Sequence, residues 1–147
     1  GGADGTSPST AAGGAGTTNQ GFAGGSASGD TGASGGGAGG AGVNGGDINR
    51  PGGAGLASSI TGSSVTRGVG GIGAISGSAG TTSPNTGKGG AGDAEGSGRQ
   101  CEGSSGVVIL RVPDAQYTGT VTGSPTVATG VSGNTVITFT GTGTYLT

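Results

Sequence analysis

Gly68-Val69-Gly70-Gly71-Ile72-Gly73 spells G-x-G-x-x-G, the spacing by which a strand–turn–helix unit cradles a pyrophosphate. That chemistry needs a strand before the glycines and a helix after them, and no helix can be read after Gly73. With 43 glycines in 147 residues, about three or four such matches are expected by chance. Gly87-Lys88 resembles the end of a P-loop, but Gly89 stands where Ser or Thr is required and the spacing back to Gly80 is wrong. Gly89-Gly90-Ala91-Gly92-Asp93 resembles a calcium-binding nonapeptide repeat. It occurs once, with Asp93 one place early, and such sites require stacked copies.

A nucleophile needs a positioned base, most often His, Asp, Glu or Lys. The chain has no His and one Cys, and of its seven acids only Asp93 and Glu95 are close in sequence. Nothing groups into a catalytic constellation, so the chain reads as a non-enzyme with no cofactor and no metal site. Cys101 cannot close an intrachain disulfide. It is an incidental thiol or an interchain bridge.

The remaining polar groups suit binding rather than reaction. Arg50, Arg67, Lys88 and Arg99 fall in or beside expected turns, where solvated side chains and binding residues both concentrate. The net charge of −2 gives no basic field for nucleic acid. No apolar run is long enough to span a membrane, and no signal peptide opens the chain. The first residue is Gly rather than Met, which points to a processed chain or a piece of a longer one.

What must position these loops is glycine. Residues 35–46 read GGGAGGAGVNGG, and 36–42 repeat every three residues. Three residues per turn is the period of the extended, left-handed polyproline II helix, which makes no internal hydrogen bonds. Its N–H and C=O groups point outward and need partners when buried. Neighbouring segments supply them only if the backbones come close, which the missing Cβ of Gly permits. A seven-residue run would be about 22 Å long at about 3.1 Å per residue. The alternative is a Gly/Ser/Thr linker without fixed structure. The low net charge opposes a charge-driven disordered chain. Glycine spacing is too irregular, and five prolines too few, for collagen.

The expected fold class is mostly irregular/β: a bundle of polyglycine II (polyproline II-like) helices over 1–105 and a small β module over 106–147. In the first part, Gly13-Gly14 and Gly24-Gly25 mark further extended segments, and Phe22 is the large side chain of residues 1–34, placed to cap a bundle edge. Asp47-Ile48-Asn49-Arg50-Pro51 reads as a turn. Ile60-Thr61-Gly62-Ser63-Ser64-Val65-Thr66 suits two short strands about Gly62-Ser63, and Pro84-Asn85-Thr86-Gly87 is a further turn. In the second part, the apolar run VVILRV over 107–112 reads as a strand covered on both faces. TGTVT, SPTVAT and TVITFT add Thr- and Val-rich strands. In the last, Val136, Thr138 and Thr140 face one way and Ile137 and Phe139 the other. A turn at Gly141-Thr142-Gly143 and a last strand from Thr144 complete four or five strands.

Three blocks carry a family resemblance. GAGLASSITGSSVTRGVGG over 53–71, NTGKGGAGDAEGSGRQCEGSSGVVILRVP over 85–113 and NTVITFTGTGTYLT over 134–147 resemble, in order, blocks of the glycine-rich domains of bacteriophage tail fibre and tail-tip adhesins of the marine phage type. Val112 departs from the Tyr usual there. The resemblance implies a virion structural protein, extracellular and without membrane insertion, whose glycine segments form a sandwich of polyglycine II helices. It also implies partners: other virion proteins, a host cell-surface glycan or outer-membrane protein, and a homo-oligomer such as a trimer. No receptor-contact residue carries over. The candidates are instead loop residues of the expected bundle: Asp47, Asn49, Arg50, Thr61, Arg67, Asn85 and Lys88. Two other functions fit the composition. One is a purely structural fibre, decoration or self-assembling extracellular filament subunit without a receptor. The other is an ice-binding protein with flat Ala/Ser/Thr faces, disfavoured by the absence of the disulfides that small bundles need.

Overall fold

The computed structural model describes residues 10–28, 31–46, 50–73, 83–92 and 102–147. Extended, glycine-rich segments make up the first part. They run over 10–16, 21–27, 31–37, 41–46, 50–55, 68–73, 87–92 and 102–106, and all but the last bond to neighbours at intervals of three residues. The N–H groups of Phe22 and Gly25 donate to the carbonyls of Gly37 and Ser34, both at 2.9 Å. Those of Gly24 and Ala27 donate to Gly14 and Ala11, at 2.9 and 2.8 Å. The same step recurs from Gly35 and Ala38 to Gly71 and Gly68, from Gly42 and Gly45 to Ala23 and Ser26, and from Gly89 and Gly92 to Val69 and Ile72. A β-ladder alternates with period two. Here amides three apart turn to the same neighbour: Phe22 and Gly25 to segment 31–37, Gly24 and Ala27 to segment 10–16.

Segment 31–37 lies at the centre. It accepts from Gly25 and Gly53 and donates to Val43 and Gly71. The buried side chains of this part are small: Ala27, Ala33 and Ser34. Side chains this short leave the backbones in contact. A Cβ on Gly25 would be driven into the carbonyl of Val43, and one on Gly70 into the carbonyl of Gly35. These segments are therefore packed against each other, which a solvated linker is not.

The registers place the connections at two ends. Segments 21–27 and 31–37 run antiparallel, as do 31–37 and 68–73; segments 68–73 and 87–92 run parallel. One end gathers the turn after Thr17, the bend at 38–40 that divides the expected seven-residue run 36–42 between two segments, a β-hairpin and the turn at Pro84-Asn85. At the other lie Gly46, the mutual bridge of Arg50 with Gly73, and Gly92.

The hairpin pairs β1 (Leu56–Ser58) with β2 (Val65–Arg67), antiparallel, with Leu56 opposite Arg67. It begins four residues earlier than expected. Ile60 lies in the turn, where Gly62 takes φ 97° and donates to the carbonyl of Ser59. That positive φ suits Gly, so the break falls at the expected residue while the first strand moves to Leu56.

The C-terminal part holds β3 (Val108–Pro113), a 3₁₀ turn (Asp114–Gln116), β4 (Val121–Thr122), β5 (Thr126–Ala128), β6 (Asn134–Phe139) and β7 (Thr144–Tyr145). The order β3-β6-β5 forms one antiparallel sheet, and β4 pairs with β7. The mostly irregular/β class expected from the sequence holds. The expected cover of the apolar run does not. Val108 is 60% exposed and Leu110 37%, because β3 is an edge strand. The central strand β6 is the covered one: Thr135, Val136, Ile137 and Phe139 are buried. Phe139 gains further cover from Gly143, which lies against its ring. Tyr117 stacks on Tyr145 at 5.9 Å between ring centroids.

Candidate functional site

The end that carries the hairpin is where loop side chains converge. Thr61 sits in the hairpin turn, its hydroxyl donating to the carbonyl of Ser63 at 3.4 Å. Arg67 closes β2 and is half-buried. Gly68, next in the chain, donates to the carbonyl of Thr86 at 2.8 Å, which brings the Pro84-Asn85 turn beside the hairpin base. Asn85 holds φ 61°, a conformation that Asn tolerates better than most residues. Ser105 fixes it twice: Asn85 N–H donates to the Ser105 hydroxyl at 3.0 Å, and that hydroxyl donates to Asn85 Oδ1 at 3.1 Å. Lys88 is tied through its backbone, its N–H donating to Ser104 Oγ at 2.6 Å and its carbonyl accepting from Ser104 N–H at 2.8 Å.

Thr61, Arg67, Asn85 and Lys88 thus share one end of the bundle, and Arg50 does not. Its backbone exchanges bonds with Gly73 at 2.7 and 2.9 Å, five residues along 68–73 from the Arg67 end. Its guanidinium lies over Gly46. Pairing with Gly73 makes Arg50 part of an extended segment; residues 47–49 of the expected turn lie outside the described residues. Asp47 and Asn49 lie outside the described residues, as do Asp93, Glu95, Arg99 and Cys101. The Nε atoms of Arg50 and Arg67 are buried without a hydrogen-bond partner.

Sequence reasoning passed over a cleft at this end. A cleft of about 770 Å³ opens between residues 16–23, Ala38 and Leu56. Phe22 is 55% exposed and Leu56 61%, and both stand at the cleft. The signal was available: Phe22 is the first aromatic residue of the chain, in a stretch of Gly, Ala, Ser and Thr. What the sequence lacked was the register that sets segment 10–27 beside the hairpin.

The β module is attached at the same end. Arg111 donates from Nη2 to the carbonyl of Val131 at 3.1 Å and from Nη1 to that of Ile60 at 3.4 Å. Gly62 packs against Val131 across the same junction.

The nucleotide-like glycine run is accounted for otherwise. The N–H groups of Gly68, Gly70 and Gly73 donate to Thr86, Gly53 and Arg50, so they do not point at a phosphate. Among the described residues no group of three or more His, Cys, Asp or Glu converges. No helix among them is long and apolar enough to cross a membrane. What the arrangement offers chemically is a surface of hydroxyl and amide groups, with Arg67 and Lys88 at the same end, on a base of hydrogen-bonded segments. Comparison with protein-family models, curated proteins and solved structures found no match.

Proposed function

We propose that this chain is a module of a bacteriophage tail fibre or tail tip, acting in attachment to the host cell surface. In this reading its glycine segments are polyglycine II helices. The three-residue interval of the inter-segment hydrogen bonds carries the proposal, since a helix with three residues per turn presents the same face at that interval. Such a bundle is rigid without a large apolar core, and it gathers the 17–20 turn, the hairpin and the 83–86 turn at one end. The order of the three family-like sequence blocks supports the same assignment. Attachment is reversible at each module and strengthened by several copies on one particle.

The test is loop replacement. Exchanging 17–20, 60–64 and 83–86 for Gly/Ser turns of equal length leaves the bundle's hydrogen-bonded segments intact. Adsorption of particles carrying the variant falls at least ten-fold if this end attaches. Unchanged adsorption by particles that still incorporate the folded variant overturns the assignment.

A second reading has one observation in its favour. β3 has a free edge among the described strands and exposes Val108 and Leu110, a surface suited to strand pairing between chains. A subunit of a shaft, shell or filament would use it. In particles, the two readings separate by whether the 17–20 and 60–64 turns are exposed or buried between subunits.

A further inference from the structure

We infer that the cleft between the 17–20 turn and Leu56 binds a neutral hexose oligosaccharide. This rests on the attachment reading of the same end and names the ligand class. The turn is held by its own backbone. Thr17 N–H donates to Gly21 carbonyl at 3.0 Å, Gly21 N–H returns to Thr17 carbonyl at 3.1 Å, and Gln20 N–H donates to that carbonyl at 2.9 Å. Its side chains are not consumed in this. Those of Thr17, Thr18, Asn19 and Gln20 are exposed and make no hydrogen bond to any described residue. All four line the cleft, with Phe22 and Leu56.

The lining selects a class by elimination. Among the described residues it contains no charged side chain, so a phosphate, sulfate or carboxylate gains no partner there for its charge. A wholly aliphatic ligand would cover the amides of Asn19 and Gln20 and leave them without hydrogen bonds, which is costly. A pyranose satisfies both parts. Its C–H face covers the exposed Phe22 ring and the Leu56 side chain. Its hydroxyl edge, donor and acceptor at each oxygen, meets amide groups that likewise offer both. A volume of about 770 Å³ lies inside the range of about 300–1,000 Å³ usual for small-molecule sites.

The test uses the purified 147-residue chain on an immobilised panel of neutral and anionic oligosaccharides built from glucose, galactose, mannose and N-acetylhexosamines. At least one neutral oligosaccharide is retained and no anionic one is preferred. Phe22→Ala raises its dissociation constant ten-fold or more. Asn19→Gly raises it at least three-fold; glycine accepts the φ of 62° that Asn19 holds, so the turn stays intact. Both variants keep the parent unfolding midpoint, because both side chains are exposed. No retention of any neutral sugar, a preference for anionic ones, or retention indifferent to both substitutions overturns the inference. If the chain binds host cells while neutral sugars fail, attachment stands and the ligand class falls. If sugars bind through Phe22 yet Phe22→Ala particles adsorb normally, the cleft stands and its part in attachment falls.

Discussion

Ser34 and Val43 hold each other across two extended segments. The N–H of Val43 donates to Ser34 Oγ at 2.7 Å, and the N–H of Ser34 donates to the Val43 carbonyl at 3.0 Å. Ser34 is fully buried. A hydroxyl here acts as backbone does elsewhere in the bundle, giving an amide the partner it would otherwise lack. Ser34→Ala removes that acceptor and strands the N–H of Val43, so it lowers stability by about 1–3 kcal/mol. Thermal unfolding followed by circular dichroism reads the loss. An unchanged midpoint would mean that the two segments are not packed in this register.

The glycines divide into two classes that one substitution series separates. Gly25→Ala and Gly70→Ala push a methyl group into the carbonyls of Val43 and Gly35. Each costs about 1–3 kcal/mol through forced separation of the backbones. A methyl group on Gly106 or Gly141 would meet nothing within 4 Å, and neither residue has a positive φ. Alanine there is neutral or stabilising by about 0.4–1 kcal/mol, because it restricts the unfolded chain. Urea titration of the four variants checks the split. Four equal effects would indicate a chain without packed segments.

The glycine content made extended segments legible, but not their bounds. The period-three run 36–42 is broken by the bend at 38–40, where the N–H of Gly37 donates to the carbonyl of Gly40, so it joins two segments instead of forming one. Gly24-Gly25 could be placed in a packed segment from sequence, and Gly62 and Asn85 in turns, because few residues tolerate their backbone angles. The pairing of segments was not legible. Gly35 meets both Gly53 and Gly71, yet one glycine looks like another in sequence, so nothing local selects the partner. The cleft at Phe22 depends on that pairing and was missed with it. In the β module the order of strands decided burial. VVILRV looks like a core strand, but β6 takes the central place and leaves β3 at the edge.

Thr135 ties that central strand to the 3₁₀ turn. Its hydroxyl donates to Asp114 Oδ1 at 2.7 Å, and the same oxygen accepts the N–H of Gly130 at 3.3 Å. Thr135 is 1% exposed, while Asp114 is exposed and stays hydrated when the bond is lost. Thr135→Val keeps the shape and removes the donor, at a cost of about 1 kcal/mol. Asp114→Ala also frees the Gly130 amide and costs at least as much. Hydrogen exchange at Gly130 distinguishes them: it accelerates in Asp114→Ala and changes little in Thr135→Val.

Leu110 and Ile137 stand opposite each other in the β3–β6 ladder, and their burial differs sharply. Ile137 is 0% exposed, flanked by Leu110 on one side and Val127 on the other. Ile137→Ala therefore opens a cavity that three strands must close around, a loss of about 2–5 kcal/mol. Leu110→Ala trims a side chain that solvent already reaches, and costs about 1 kcal/mol or less in the isolated chain. The comparison also bears on association. If β3 pairs with another chain, Leu110 becomes buried only in the assembly, and its truncation then weakens assembly far more than folding. Unfolding midpoints measured at two protein concentrations tenfold apart separate these cases. A Leu110→Ala deficit that is absent at low concentration and grows at high concentration identifies β3 as a contact between subunits. A deficit as large as that of Ile137→Ala at both concentrations would mean that β3 is covered within the single chain.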